Sequence, residues 1–105
     1  MNDVLKDRIE KILKGDKVVL FMKGTPRMPM CGFSAATVEA LEAAGAKFTA
    51  YNILEDPDLR QGLKEYANWP TFPQLYVGGE LVGGSDIVRD LHQRGELATM
   101  VKSGQ

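Results

Sequence analysis

Residues 18–53 read VVLFMKGTPRMPMCGFSAATVEALEAAGAKFTAYNI, and this stretch decides the fold. It opens on a continuous apolar run, Val18–Met22, which is typical of a strand covered on both faces. Glycine and proline at positions 24, 26 and 29 then interrupt regular structure. Residues 32–44 show helical spacing of apolar side chains, and residues 48–53 alternate as in a second strand. The order strand, helix, strand predicts a parallel pair with a helix crossing over one face of the sheet.

Further helices are predicted on both sides of this unit. Residues 3–15 carry apolar side chains at helical spacing, with Asp3 as the capping residue. Asp56, followed by proline, predicts the start of a helix whose apolar stripe continues to residue 67. Ser85 and Asp86 are natural capping residues for a fourth helix, and residues 97–101 suggest a short fifth one.

The short runs 74–77 and 80–82 flank Gly78-Gly79, which is a signal for a two-residue hairpin. These two strands are therefore predicted to be antiparallel. With the parallel pair they give an α/β fold with a central four-stranded mixed sheet flanked by about five helices. A chain of 105 residues has the length of one domain, so we predict a single domain over residues 1–105.

Composition excludes several classes of function. Thirteen Lys and Arg against fourteen Asp and Glu give a net charge of -1, which predicts no nucleic-acid partner. The longest apolar run is too short to span a bilayer, and the N-terminus resembles neither a signal peptide nor a transit segment. We therefore expect no membrane association and a cytoplasmic location.

The functional question narrows to Cys31, the one cysteine in the chain. It cannot close an intramolecular disulfide, so it is an inert core thiol, an intermolecular partner, a nucleophile or a metal ligand. Its place at a predicted helix start favours the thiolate, and Lys23 and Arg27 are expected to lower its pKa further. Ser34 stands where a Cys-x-x-Cys motif has its second thiol, so an external thiol must cleave any mixed disulfide formed at Cys31.

Three other features are candidates for a metal site, a catalytic residue or a partner-binding residue. Met28 and Met30 add soft sulfurs beside Cys31 that could hold copper(I), but methionine more often fills gaps in packing. His92, the one histidine, is interpreted as an ordinary helical residue. Trp69 is interpreted as a structural side chain packed over the core.

Four blocks together make the chain resemble the monothiol, CGFS-type glutaredoxins. They are residues 22–26 (MKGTP), 31–34 (CGFS), 68–74 (NWPTFPQ) and 83–86 (GGSD), and the likeness spans nearly the whole chain. The resemblance implies a thioredoxin-like fold. This chain departs from the family pattern at position 85, where many relatives carry a second cysteine. Ser85 therefore cannot form a disulfide with Cys31.

The resemblance also implies a glutathione site. The loop Thr71-Phe72-Pro73 is expected to hold a cis proline facing Cys31 and to pair its backbone with bound glutathione. Lys23 and Arg60 are expected to contact glutathione carboxylates. The GGSD block, with Gly84 and the backbone of Ser85 and Asp86 at a helix start, is expected to receive the other carboxylate.

The same resemblance implies a function in iron–sulfur protein biogenesis. A thiolate-held 2Fe-2S cluster needs four thiolates, which two copies of Cys31 and two glutathiones supply. We therefore expect a cluster carrier that is a homodimer with the cluster and a monomer without it, with BolA-like proteins and apo iron–sulfur proteins as partners. The alternative is an enzyme, a glutathione-dependent thiol–disulfide oxidoreductase that removes glutathione from mixed disulfides at Cys31.

Overall fold

The computed structural model describes residues 1–103, which form a four-stranded sheet and five α-helices. In chain order the elements are α1 (Asp3–Gly15), β1 (Val18–Met22), α2 (Gly32–Ala43), β2 (Thr49–Asn52), α3 (Pro57–Ala67), β3 (Gln74–Val77), β4 (Glu80–Gly83), α4 (Ser85–Gln93) and α5 (Leu97–Ser103). A short 3-10 turn, Ile53–Glu55, joins β2 to α3. The predicted number and order of elements are confirmed.

The sheet is mixed, with the strand order β2-β1-β3-β4. β1 pairs with β2 in parallel and with β3 in antiparallel, and β3 and β4 form the predicted hairpin. Because β1 has a partner on each side, it lies inside the sheet. The segment that carries Cys31 follows directly from the carboxyl end of this strand.

Alternate residues of β1 point into two apolar cores. Val18, Leu20 and Met22 pack with residues of α2, α4 and α5 on one face of the sheet. Val19 and Phe21 pack with residues of α1 and α3 on the other face. All five β1 residues are buried, as the unbroken apolar run predicts. The sheet is thus a middle layer between two helical layers.

Several predicted boundaries move by one or two residues. Asn2 caps α1 in place of Asp3, because its Oδ1 accepts a hydrogen bond of 2.8 Å from the Leu5 N–H. β2 is shorter than the alternation suggests, since Ile53 already begins the 3-10 turn. Asp56 caps α3 as predicted, and its Oδ1 accepts from the Leu59 N–H at 3.1 Å. Gly84 is the residue that precedes α4, so Ser85 is its first residue and not its cap.

No helix within residues 1–103 combines the length and the apolar character that crossing a membrane requires.

Candidate functional site

Cys31 lies at the N-cap position of α2, beyond the carboxyl end of β1. Its carbonyl accepts the first hydrogen bond of the helix, from the Ala35 N–H at 3.0 Å. The residue is half-buried, so the interpretation as an inert core thiol is wrong. A thiol in this place is accessible to solvent and still lies against the positive end of a helix.

The first turn of α2 stabilises a thiolate at Cys31. The sulfur makes no capping hydrogen bond of ordinary geometry, yet the backbone N–H of Ser34 lowers the pKa of Cys31 more than any other group. Partial burial acts against this, whereas the Phe33 N–H, the charge of Lys23 and the Ser34 hydroxyl lower the pKa further. The Lys23 contribution agrees with the sequence prediction. The net direction is a thiol that ionises more readily than a free cysteine.

The segment between β1 and α2 is an ordered loop, although its prolines suggest irregular chain. Thr25 and Met28 exchange two backbone hydrogen bonds of 3.0 and 3.1 Å, and the Met30 N–H donates to the Lys23 carbonyl at 2.9 Å. Gly24 has a φ of +90°, and a Cβ there would lie 2.5 Å from the Met28 carbonyl oxygen. Asn52, at the end of β2, accepts from the Gly24 N–H at 2.9 Å. Backbone bonds therefore fix the approach to Cys31.

An open pocket of about 500 Å³ lies beside the sulfur. This volume is within the usual range for small-molecule sites. All nine residues predicted for the site line this pocket: Lys23, Cys31, Arg60, Thr71, Phe72, Pro73, Gly84, Ser85 and Asp86. The segment after β1, the N-cap of α2, α3, the loop before β3 and the start of α4 thus bring these residues together in one place, while their roles toward glutathione stay predictions.

The pocket offers donors on two sides. Arg60 projects from the first turn of α3, and its buried Nε has no hydrogen-bond partner among the described residues. On another wall, no side chain within residues 1–103 caps the N-terminus of α4. Unpaired N–H groups at a helix N-terminus attract anions. Between them runs the loop before β3, in which the Phe72–Pro73 peptide bond is cis, as predicted.

Five further residues line the pocket and were not predicted: Phe33, Lys64, Trp69, Pro70 and Ile87. Trp69, interpreted from the sequence as a structural side chain, also lines the pocket, and its Nε1 is buried without a partner among the described residues. Lys64 could have been found from the sequence, since it follows Arg60 by one helical turn.

Three large apolar side chains close to Cys31 in the sequence are exposed. Met28, Met30 and Phe33 expose 69%, 64% and 64% of their surface, respectively. The sequence shows no helical stripe that announces this patch, because two of its members lie in a loop. Large apolar side chains exposed together in this way are typical of a surface that another molecule covers.

Within residues 1–103, no group of three or more His, Cys, Asp or Glu side chains could hold a metal ion.

Comparisons with known proteins identify the family. The glutaredoxin family model matches residues 18–82. The chain is 52% identical over 96 residues to Glutaredoxin 4 of Escherichia coli K12, which covers 91% of this chain and 84% of that protein. It is 50% identical over 104 residues to the mitochondrial Monothiol glutaredoxin-5 of Saccharomyces cerevisiae, covering 96% of this chain and 69% of the relative. The solution structure of reduced poplar apo GrxS14 superposes with a TM-score of 0.82 at 51% identity, covering 95% of this chain and 92% of that one.

The fold and the site define a thioredoxin-like α/β protein with a single thiol of lowered pKa at a helix N-terminus. This chain belongs to the glutaredoxin family, and among its similar relatives are proteins named as monothiol glutaredoxins. The resemblance drawn from the four sequence blocks is thereby confirmed.

Proposed function

We propose that this protein carries a 2Fe-2S cluster, held between two copies of the chain by Cys31 of each copy and by two glutathione molecules, and delivers it to apo-proteins. The observation that carries the proposal is the solitary thiol. Cys31 is accessible, has a lowered pKa and adjoins a pocket, but it is the one cysteine in the chain. A thiolate-bound cluster of this kind needs four sulfurs.

The pocket has the chemistry that glutathione requires. Glutathione carries two carboxylates and one ammonium group along an extended peptide. Lys23 and Arg60 suit one carboxylate, and the uncapped N-terminus of α4 suits the other. The exposed carboxylate of Asp86, at the same helix start, complements the ammonium group. In this proposal the backbone of Thr71 and Phe72 pairs with the peptide between these ends.

The apolar patch formed by Met28, Met30 and Phe33 supports a dimer that forms around the cluster. Covering these side chains contributes favourable free energy, but three residues make a small contact. Such a dimer depends on its bridging ligands, so it separates when the cluster leaves. That behaviour suits a protein that hands on its cargo.

A second candidate function is glutathione-dependent disulfide exchange, which the lowered pKa and the accessibility of Cys31 favour. The Cys31 thiolate attacks the glutathione sulfur of a mixed disulfide, and the substrate sulfur leaves as a thiolate that takes up a proton. A glutathione thiolate then attacks the Cys31–glutathione disulfide. The products are oxidised glutathione and the regenerated Cys31 thiolate.

Anaerobic reconstitution with iron, sulfide and glutathione tests the carrier function. We expect visible absorption from a cluster in the wild-type protein and none in Cys31→Ser. S-methylglutathione is the matched control for the small thiol, because it keeps the tripeptide and cannot ligate iron. Cluster formation without Cys31, or with the methylated tripeptide alone, contradicts the proposal. Rapid turnover of a glutathionylated substrate by a protein that forms no cluster favours the enzyme.

Size-exclusion chromatography with and without the cluster tests the assembly, for which we expect a dimer and a monomer, respectively. We propose two kinds of partner. Apo iron–sulfur proteins accept the cluster, and a BolA-like protein replaces one copy of the chain in a mixed complex. A cytoplasmic location completes the proposal. Cluster transfer to an apo-ferredoxin, followed by its absorption spectrum, tests the first of these partners.

A further inference from the structure

Gln74 is a polar side chain that is wholly buried, with 0% of its surface exposed. It is the first residue of β3 and directly follows Pro73 of the pocket loop. Its pairing opposite Phe21 places it on the face of the sheet that α1 and α3 cover. A buried amide needs hydrogen-bond partners, because leaving it without them costs free energy.

Both hydrogens of the Gln74 amide are donated to the pocket loop. Nε2 donates to the carbonyl of Trp69 at 3.1 Å and to the carbonyl of Thr71 at 3.3 Å. Trp69 and Thr71 both line the pocket beside Cys31. One side chain therefore holds two points of the wall to which we assign the peptide backbone of glutathione.

The other end of the amide is also fixed. Oε1 accepts a hydrogen bond of 3.1 Å from the hydroxyl of Tyr76, two residues further along β3. Tyr76 is 2% exposed, and its ring packs edge-on against Phe21 with the ring centroids 5.6 Å apart. Burial raises the pKa of Tyr76, with a smaller contribution from Tyr66, so the hydroxyl keeps its proton and acts as the donor. The orientation of Gln74 is thus set by the core.

The loop that Gln74 holds contacts the opposite wall of the pocket. A Cβ on Gly84 would lie 3.2 Å from the Pro73 carbonyl oxygen and 3.7 Å from Trp69 Nε1. Any movement of the loop therefore changes its distance from the start of α4. Binding a peptide between these two walls requires that their separation be fixed before the ligand arrives.

We propose that Gln74 is a positioning residue that holds the loop from Trp69 to Pro73 at the spacing glutathione requires, and that Tyr76 orients its amide. This inference rests on the proposed glutathione site. Gln74 itself does not line the pocket, so it acts through Trp69 and Thr71.

The test compares Gln74→Met, which keeps an unbranched side chain but donates no hydrogen bond, with Gln93→Met, the same change at an exposed position. Glutathione dissociation constants are measured by calorimetry on folded protein. We expect the constant to rise about tenfold in Gln74→Met, by less in Tyr76→Phe, and to stay unchanged in Gln93→Met.

Trp69, the one tryptophan in the chain, supplies a second readout that needs no ligand. We expect its emission in the free protein to shift to longer wavelength and its quenching by acrylamide to increase in Gln74→Met, because the released loop exposes the indole. A role limited to stability lowers the melting temperature but moves neither the emission nor the affinity of the folded protein.

The outcomes separate this inference from the proposed function. Unchanged affinity and unchanged Trp69 emission in Gln74→Met overturn the inference, whatever happens to the melting temperature. A wild-type protein that binds no glutathione overturns the proposed function, and the emission comparison then decides whether Gln74 holds the loop. If Gln74→Met does not fold, the same two measurements on Tyr76→Phe decide.

Discussion

The Ser34 hydroxyl accepts a hydrogen bond of 3.1 Å from the backbone N–H of Lys23. This bond joins the segment after β1 to the first turn of α2, on either side of the loop that leads to Cys31. Ser34 is fully buried, whereas Lys23 lines the pocket. Both residues also lower the pKa of Cys31, so one contact connects the geometry of the loop with the acidity of the thiol.

The first prediction concerns the acidity of Cys31. Lys23→Gln removes a positive charge, and Ser34→Ala removes a hydroxyl but keeps the backbone N–H that has the largest effect. We expect both variants to raise the pKa of Cys31, Lys23→Gln more than Ser34→Ala. We expect neither to abolish the lowering. The pH dependence of alkylation by iodoacetamide measures each pKa through the thiolate fraction.

Lys47→Gln is the matched control for this series, since Lys47 is exposed and precedes β2 at the opposite end of the sheet. It should leave the alkylation profile unchanged. If Ser34→Ala moves the profile more than Lys23→Gln does, the ordering of these groups is wrong. Ser34→Ala should also lower the free energy of unfolding by about 1 kcal/mol, because the Lys23 N–H loses its acceptor.

The second prediction concerns anion binding by Arg60. Arg60 lines the pocket, and no ion pair within the described residues neutralises its guanidinium, so its positive charge is available to a carboxylate. Arg60→Gln should raise the glutathione dissociation constant about tenfold, the effect of losing one charge-assisted hydrogen bond. The alkylation profile of Cys31 should not move, because Arg60 is not among the groups that shift its pKa.

Arg94→Gln is the control. Arg94 directly follows α4, forms ion pairs with Asp90 and Glu96, and does not line the pocket. Isothermal titration calorimetry gives both constants. Equal affinities for Arg60→Gln and the wild-type protein remove Arg60 from the site.

The sequence predicts the architecture well because each element has a local signal. The apolar run of β1, the Asp56-Pro57 start of α3 and the Gly78-Gly79 turn act within a few residues of chain. Boundaries such as those of β2 depend on where the chain bends to pack, so periodicity places them less well.

The site residues also divide into those that the sequence predicts and those that only the structure reveals. Residues within the sequence blocks, such as Cys31 and Thr71, are predicted because the family resemblance carries them. The contact of Asn52 with Gly24 joins positions 28 residues apart that folding brings together. Gln74 lies within the block 68–74, but its contacts with Trp69 and Thr71 depend on the path of the loop between them. No local pattern marks these contacts. The αL conformation of Asn68, at the end of α3, is likewise visible only in the structure.

The third prediction concerns Gly24. Its φ of +90° and the 2.5 Å approach of a Cβ to the Met28 carbonyl oxygen both oppose any side chain. Gly24→Ala should lower the free energy of unfolding by about 3 kcal/mol and alter the reactivity of Cys31, because the loop must move. Gly45→Ala separates the two causes, since Gly45 has a φ of +76° but open space around it. Its cost should be about 1 kcal/mol. Equal costs in urea unfolding show that the close approach has no effect.

The last prediction concerns the ion pair between Arg8 of α1 and Asp56, the cap of α3. The hydrogen bond from Arg8 is the largest of the effects that hold the pKa of Asp56 below its usual value. A carboxyl whose pKa is lowered by folding stabilises the protein above its unfolded pKa, about 3.9, and this contribution disappears as the pH falls through the folded value. Arg8→Gln should therefore cost about 0.5–1 kcal/mol near neutral pH, since both side chains are partly exposed. This cost should shrink as the pH falls through the folded pKa of Asp56, because the protonated carboxyl no longer forms the ion pair.

A double-mutant cycle isolates this pair from the cap. Asp56→Asn keeps an oxygen that accepts from the Leu59 N–H, so it removes the charge while retaining the cap. Adding Arg8→Gln to Asp56→Asn should then change the free energy of unfolding by much less than Arg8→Gln does alone. Urea unfolding of the four proteins near neutral pH and in strong acid gives the coupling at both values. A cost of Arg8→Gln that persists in acid, or is the same in both backgrounds, shows that Arg8 stabilises α1 by packing and not through Asp56.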